Sequence, residues 1–204
     1  MVPPTFSDML KHNPVGTPAP VILSREQQDL IAENKALRAR ICELEHAADT
    51  DPLVPVYNRR AFVREIDRAR HVMARYDILS SIIYFDLDRF KSVNDRYGHV
   101  IGDDILRAVG DVLSGGVRDC DLVARLGGDE FGVLLFKTDA SIAKAKASAL
   151  ACRISELTIP MPNGSVITTG ASWGVAACEA EDTADQILSR ADRAMYIAKR
   201  RKAA

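Results

Sequence analysis

Two short apolar segments, 122–126 and 131–136, are separated only by a turn that begins with Gly127 and Gly128. Adjacent glycines accept the positive backbone angles that a tight reversal needs, so this pattern predicts a β-hairpin. The two strands of a hairpin pair antiparallel, so the predicted sheet contains at least this antiparallel pair. The remaining segments must then bury their apolar faces against that pair of strands.

The segments on either side of the hairpin alternate between helical and extended patterns. The spacing of apolar residues predicts helices over 59–76, 89–97, 101–113, 140–157 and 184–201, and further strands over 81–86 and 166–177. This order contains a βαββαβ core of the ferredoxin-like type. It favours an α+β fold with a largely antiparallel sheet and helices over one face of that sheet.

The start of the chain differs in composition from the rest. Five prolines within residues 1–20 disfavour any continuous helix, and residues 1–22 are predicted to be a flexible tail. The tail lacks the pattern of a signal peptide, and the chain has no run of about 18 apolar residues that would predict a membrane segment. A formal net charge of −1 argues against binding to nucleic acid. Because neither a signal peptide nor a membrane segment is predicted, we expect a cytoplasmic protein.

A helical pattern follows the tail over residues 23–49. Ser24 with Gln27 forms a capping box at its start. Leucines then recur every seven residues, at Leu23, Leu30, Leu37 and Leu44. Asn34 at the alternate core position favours a parallel two-stranded coiled coil, because asparagines can pair across its axis. The alternative is an amphipathic helix packed on its own domain, which begins at about residue 50 after the break near Pro52.

Asp86 ends the predicted apolar strand at 81–86, and Asp88 lies two residues further on. Carboxylates at the end of a strand, beside the start of the next helix, suit a hard divalent cation together with the phosphates that it carries. The same residues would serve equally well as an N-cap of that helix. The pattern by itself leaves both interpretations open.

The hairpin turn carries a second acidic pair, Asp129 and Glu130. A turn that needs only positive backbone angles has no use for neighbouring carboxylates, which repel one another unless a cation neutralises them. Water at an exposed turn also weakens that repulsion. The pair therefore favours a cation site without excluding an ordinary surface turn.

Taken together, these segments resemble the GGDEF family. Residues 127–131 read Gly-Gly-Asp-Glu-Phe, the signature from which the family takes its name. Further segments match other family motifs in the same order, and these are residues 51–62, 85–95, 98–106 and 191–199. The likeness covers about residues 50 to 200, and the chain is identified as a member with its GGDEF domain at 50–204.

The resemblance implies a palm-like fold, shared with nucleotidyl cyclases and polymerases, and diguanylate cyclase activity. Such an enzyme condenses two GTP molecules into cyclic di-GMP. By similarity, Asp86, the carbonyl of Leu87 and Asp129 hold Mg²⁺ or Mn²⁺, with two ions in each active site. The implied catalytic residues are Asp129, as a candidate base for the attacking hydroxyl, and Glu130, as a further acid at the metals.

The resemblance also assigns contacts to GTP. The residues concerned are Arg89, Phe90, Lys91, Asn94, Asp103, Gly128 and Lys199. The two lysines match phosphate-binding positions, and Asn94 and Asp103 match residues that read guanine. An ionised aspartate accepts from the N1–H and N2–H groups of guanine, an arrangement that adenine does not present, so GTP is favoured over ATP.

Arg118 and Asp121 form an R-x-x-D motif shortly before the signature. This motif resembles the family's inhibitory site for the product, cyclic di-GMP. The arginine would hold guanine or phosphate, and the aspartate would accept from guanine. The alternative is a surface turn closed by an ion pair.

The chain departs from the family pattern at two places. Residues 54–56 are Val-Pro-Val where the family usually has Thr-Gly-Leu, which predicts a stiffer entry into the first helix of the domain. The Gly-Arg-Asn that commonly follows the closing helix is absent after Lys199. This departure puts an arginine contact to phosphate in question.

One GGDEF domain is expected to bind one GTP, so the reaction would need two domains facing each other. The coiled coil at 23–49 is predicted to bring two copies together as a homodimer. The alternative function is a catalytically silent GGDEF module that binds GTP or cyclic di-GMP as a sensor or scaffold. In a third interpretation the helix docks a partner protein that regulates the enzyme.

Overall fold

The structure, a computed structural model, describes residues 24–161 and 164–203, with the side chains of all but residues 39, 41–47 and 203. The predicted tail at 1–22 therefore lies outside the described residues. The chain divides into two units, the first ending at Leu44 and the second beginning at Glu45. No helix in the described part of the chain is long and apolar enough to cross a membrane.

Helix α1 (Arg25–Asp49) begins with the predicted capping box. The backbone N–H of Ser24 donates to Oε1 of Gln27 at 2.9 Å, and the N–H of Gln27 donates to Oγ of Ser24 at 3.2 Å. Along the helix, the side chains of Leu30 and Leu37 are 59% and 56% exposed. The other two leucines of the repeat have no described side chain, and the coiled coil stays a prediction.

The second unit contains five further helices and seven strands among its described residues. The helices are α2 (Arg59–Tyr76), α3 (Phe90–Tyr97), α4 (His99–Ser114), α5 (Ala140–Ser155) and α6 (Ala184–Ala203). The strands are β1 (Tyr57–Asn58), β2 (Ser80–Asp88), β3 (Leu122–Gly127), β4 (Glu130–Phe136), β5 (Ile159–Pro160), β6 (Val166–Ile167) and β7 (Gly170–Ala177). The predicted α+β fold and its βαββαβ core are confirmed.

Five of the strands form one sheet in the order β1-β3-β4-β2-β7. The predicted hairpin joins β3 to β4, with a bulge between Arg125 and Gly127. Only β1 runs parallel to its neighbour, and the other pairs are antiparallel. Strand β2 lies between β4 and β7, so both of its edges are hydrogen-bonded and its end is held on two sides.

The prediction that helices cover one face of the sheet is wrong, because β2 is apolar on both faces. Ile83, Phe85 and Leu87 pack into one core cluster with residues of α3, α4 and α5. Ile82 and Tyr84 pack into a second cluster with residues of α2 and α6. Successive strand residues point to opposite faces, so a continuous apolar run needs cover on each.

Several element boundaries also differ from the sequence prediction, including that of β2, which runs over Ser80–Asp88 and not 81–86. The strand predicted over 166–177 is two strands, because Ile167 pairs with Ile159 whereas Gly170 pairs with Asp88 in β2. Helix α3 begins at Phe90 and α4 at His99, one residue later and two residues earlier than predicted. The two-residue strands β1 and β5 are too short to leave a periodic signal.

At Gly174, strand β7 lies directly against the backbone of α6. A β-carbon at this position would lie 2.2 Å from the carbonyl oxygen of Ala191 and 2.2 Å from the backbone nitrogen of Met195. Both atoms belong to the backbone of the helix, so neither can move aside alone. The glycine therefore sets the distance between the sheet and α6.

We expect Gly174→Ala to lower the free energy of unfolding by about 1–3 kcal/mol, the usual cost of overpacking a core. Chemical denaturation of the purified protein measures the change. The control is Gly115→Ala, where φ is −72° and the atom nearest to the added methyl group would be the carbonyl oxygen of Asp111, at 3.2 Å. Equal stability of Gly174→Ala and the wild type would contradict this account of the contact between β7 and α6.

Candidate active site

Acidic side chains of β2 and β4 lie on one face of the sheet where β2 ends. Asp86 and Asp88 are two residues apart in β2 and therefore point to the same face of the sheet. Asp86 lies opposite Glu130, the first residue of β4. Two lysines of α6 contact the pair, Lys199 at Asp86 and Lys202 at Asp88, which shows that the acids face this helix.

The turn of the hairpin brings Asp129 to the same place. Gly127 and Gly128 have φ values of 154° and 46°, and the second of these lies in the region that favours glycine. The carbonyl oxygen of Asp129 accepts from the backbone N–H of Leu87 at 3.2 Å. This hydrogen bond sets Asp129 beside the backbone of Leu87 and next to Asp86.

An arginine side chain is hydrogen-bonded to the backbone of the turn. Nε and Nη2 of Arg125 donate to the carbonyl oxygen of Gly128 at 3.0 and 2.7 Å. Its Nη1 donates to Asp51 at 3.3 Å, and the same carboxylate accepts from the N–H groups of Leu53 and Val54. The glycine turn is thus tied to the segment through which the chain enters the domain.

The carboxyl groups of the turn have raised pKa values. Burial is the largest cause for both Asp129 and Glu130, and the negative charge of Asp86 adds to it. A hydrogen bond from the hydroxyl of Tyr84 works in the opposite direction and lowers the pKa of Glu130. Burial and the neighbouring charge of Asp86 both disfavour the ionised carboxylates, and a cation bound beside them would favour the ionised forms.

Lys199 supplies positive charge to this cluster. Its Nζ donates to Oδ1 of Asp86. Burial acts to lower the pKa of Lys199, but the hydrogen bond to Asp86 and the charges of Asp86 and Asp129 outweigh burial and raise it. The ammonium group is therefore held in its charged form by the acids that the resemblance assigns to a metal.

The donor atoms present suit Mg²⁺ or Mn²⁺. The predicted set consists of two carboxylates and the carbonyl of Leu87, all of them oxygen ligands of the kind that hard cations prefer. Within the described ranges, no group of three or more His, Cys, Asp or Glu side chains is arranged as a metal site. The predicted set is compatible with that finding, because it contains only two side chains and its third ligand is a backbone oxygen.

A concave surface lies beside the acids at the start of α3. Arg89 adopts a left-handed conformation, with φ of 60°, and Phe90 then opens the helix. The groove next to this turn has a volume of about 440 Å³ and is lined by Asp88, Arg89, Lys199 and Lys202. Three basic side chains and a helix N-terminus make it suitable for a phosphate chain. Lys91 is exposed in the first turn of the same helix.

The side chain of Asn94 in α3 lies against Gly102 of α4, the residue before Asp103. A β-carbon at Gly102 would lie 2.0 Å from Oδ1 of Asn94, so this glycine leaves room for the Asn94 side chain. Oδ1 of Asn94 is buried and has no hydrogen-bond partner among the described residues. A buried amide oxygen without a partner costs free energy, and a ligand with N–H donors would satisfy it.

Arg118 and Asp121 lie at the other end of β3 from the signature turn. The strand is six residues long, which corresponds to roughly 20 Å at about 3.3 Å per residue. The N–H and Nε of Arg118 both donate to Oδ2 of Asp121 at 3.1 Å, and Nη2 donates to the carbonyl of Phe136 at 3.0 Å. The Arg118 side chain is 59% exposed, whereas that of Asp121 is 1% exposed.

Grooves lie on both sides of this motif, with volumes of about 440 and 690 Å³, and Arg118 and Asp121 line both. The two oxygens of Asp121 are occupied by Arg118 and by the backbone N–H of Phe136. The structure thus separates the predicted site residues into two groups, one at the end of β2 and one at the start of β3.

Several residues near the acids have contacts that motif matching did not predict. Tyr84 hydrogen-bonds Glu130, Ser172 donates to Asp88 at 2.7 Å, and Lys202 contacts Asp88 at 3.2 Å. Tyr84 could have been found from its position, two residues before Asp86 on the same face of β2. Ser172 and Lys202 come from distant segments, and nothing in the local sequence points to them.

Known proteins resemble this chain over most of its length. The sequence model of the family described as "Diguanylate cyclase, GGDEF domain" matches residues 48–204. The diguanylate cyclase TpbB of Pseudomonas aeruginosa is 34% identical over 183 residues, which is 87% of this chain and 42% of that protein. DgcM of Escherichia coli is 36% identical over 172 residues, 83% of this chain and 40% of that protein. The chain therefore spans about two-fifths of the length of these relatives.

A similar structure has been solved for a protein of Caulobacter crescentus. The coiled coil and GGDEF domain of DgcB, in complex with c-di-GMP, match with a TM-score of 0.78 and 27% identity. The match covers 85% of this chain and 92% of that one. The family match over residues 48–204, the relatives and the geometry of the signature turn agree, and the chain belongs to the GGDEF family of diguanylate cyclases.

Proposed function

We propose that this chain is a diguanylate cyclase, which condenses two GTP molecules into cyclic di-GMP and releases two pyrophosphates. The observation that carries the proposal is the meeting of Asp86, Asp129 and Glu130 beside the basic groove at α3. Carboxylates for metal ions and cations for phosphates adjoin each other there, as nucleotidyl transfer requires.

Asp86, the carbonyl of Leu87 and Asp129 would hold Mg²⁺ or Mn²⁺, two ions per site. When bound, the ions supply positive charge for the phosphate oxygens and for the charge that develops during transfer. Asp129 accepts the proton of the 3′-hydroxyl that attacks the α-phosphate, since its raised pKa makes it a better base than an ordinary aspartate. Glu130 adds negative charge beside it and is oriented by Tyr84.

The protein's own groups bind and orient GTP. The triphosphate enters the groove at α3, where the backbone of Arg89 and Phe90, the side chains of Lys91 and Lys199, and the open backbone at Gly128 can meet it. Guanine lies against Asn94 and Asp103. The unpartnered Oδ1 of Asn94 accepts from the base, and Asp103 accepts from N1–H and N2–H, which selects guanine over adenine.

Two copies of the chain must face each other, because each domain holds one GTP and the two nucleotides react with each other. Helix α1 would join the copies as a parallel coiled coil. Its exposed Leu30 and Leu37 favour this interpretation, since large apolar groups on a helix seek a partner surface. Tethering raises the local concentration of the second domain to the order of millimolar.

The exposed guanidinium of Arg118 would bind the product and thereby inhibit the enzyme. It lies between two grooves large enough to receive guanine and phosphate groups. Asp121 holds the arginine in place with both of its oxygens. In the c-di-GMP complex of the related DgcB, that nucleotide is bound to a GGDEF protein, which supports product binding by this chain as well.

The first test incubates the purified chain with GTP and Mg²⁺ and identifies the products by chromatography and mass spectrometry. We expect cyclic di-GMP from the wild type and a rate at least about a hundredfold lower from Asp129→Asn, in keeping with the loss of a general base. A wild type that binds GTP as a dimer but forms no product would favour the silent module.

The same variant must be shown to fold. Because the folded-state pKa of Asp129 is raised, ionising this carboxyl costs stability above its ordinary pKa, and the amide removes that cost. We therefore expect Asp129→Asn to melt, without metal at neutral pH, at a temperature no lower than the wild type. A lower melting temperature would mean that its lost activity reports on folding.

Dimer formation is tested with Leu30→Lys combined with Leu37→Lys. Charges in the seam of a coiled coil cannot be buried, so we expect a monomer by analytical ultracentrifugation and at least a tenfold loss of activity at micromolar protein. The matched control places the same charges on the outer face, as Ala32→Lys combined with Ala36→Lys. Full activity in a proven monomer would overturn the proposal of a dimer held by α1.

Product inhibition is tested with Arg118→Ala. We expect added cyclic di-GMP to inhibit the variant at least tenfold less than the wild type, each rate taken relative to its own uninhibited rate, because a charged contact is lost. The control is Arg107→Ala, since Arg107 is likewise an exposed arginine paired with an aspartate three residues away. Unchanged inhibition in Arg118→Ala would exclude this motif as the inhibitory site.

A further inference from the structure

The last turns of α6 and the end of β2 carry two matched ion pairs. Lys199 contacts Asp86, and Lys202 contacts Asp88. Residues three apart on a helix share a face, as do residues two apart on a strand, so both pairs can form together. Two carboxylates at the centre of the site are thus neutralised by the protein's own lysines.

The second pair is anchored more firmly than an ordinary surface pair. Nζ of Lys202 also donates to the carbonyl oxygen of Ala171 at 2.7 Å, and Oδ1 of Asp88 accepts from Ser172 at 2.7 Å. Ser172 is 1% exposed and belongs to β7. This network ties the end of α6 to β2 and β7 and keeps Lys199 within reach of Asp86.

Lys199 therefore occupies an oxygen that the proposed function assigns to a metal ion. Oδ1 of Asp86 accepts from Nζ of Lys199, whose charge also acts on Asp129. A divalent ion at Asp86 and the ammonium group would be close like charges, which repel each other strongly in a partly buried site. Binding of the ion to Asp86 therefore weakens the contact between Lys199 and Asp86, and that contact weakens binding of the ion.

We infer that Lys199 exchanges between two partners, Asp86 in the ligand-free protein and the triphosphate in the loaded protein, and so couples metal binding to nucleotide binding. The inference rests on the proposed function. Without nucleotide, an incoming ion must displace Lys199 from Asp86. With nucleotide, the phosphates take up the ammonium group and leave the carboxylate to the ion. Metal alone binds weakly, and metal and GTP strengthen each other's binding.

The inference is tested by titrating the full chain with Mn²⁺ in the absence of nucleotide. Binding is measured by isothermal titration calorimetry or by the loss of the EPR signal of free Mn²⁺. We expect Lys199→Met to bind Mn²⁺ at least about fivefold more tightly than the wild type, the lower end of ordinary coupling between sites. An α,β-methylene analogue of GTP, which cannot react, should strengthen Mn²⁺ binding more in the wild type than in this variant.

Lys202→Met is the matched control, because it removes the same charge from the same groove without contacting Asp86. We expect a smaller gain in Mn²⁺ affinity from it than from Lys199→Met. Equal Mn²⁺ affinity in the wild type and Lys199→Met would overturn the inference and leave the proposed function standing, provided that Mn²⁺ still binds with the analogue. Absence of Mn²⁺ binding with and without the analogue would overturn both.

Discussion

The pairing of β2 with a strand on each side is the constraint on which the site depends. Hydrogen bonds to β4 and β7 hold the end of β2, and apolar side chains on both of its faces anchor it in two core clusters. Asp86 consequently lies opposite Glu130 and next to Ser172 without freedom to move away. A carboxylate on a loop could move away from nearby negative charges, whereas one on a strand that is paired on both sides cannot.

This rigidity has an electrostatic cost. Burial and mutual repulsion raise the pKa values of Asp129 and Glu130, and the lysines of α6 offset part of the negative charge. The close approach of α6 to β7 at Gly174 is what allows those lysines to reach the acids. Core packing and the charge balance of the site are therefore linked through a single helix.

The sequence predicted much of this fold because several of its signals are local. The capping box at Ser24, the helix over 59–76 and the hairpin at Gly127 each depend on neighbouring residues, and the structure has all three. The covering of both sheet faces was missed, although the continuous apolar run of β2 signals burial on each side. Strand β1 was missed because a two-residue parallel pairing depends wholly on a distant partner.

The sequence by itself determined which chemical groups are present, the local turn that carries Asp129, and the family to which the chain belongs. Only the tertiary structure decided which charges meet. Lys199 and Asp86 are 113 residues apart in the chain, and Asp88 is 84 residues from Ser172. Electrostatic energies and hydrogen bonds depend on distance in space, which no sequence spacing of that length defines.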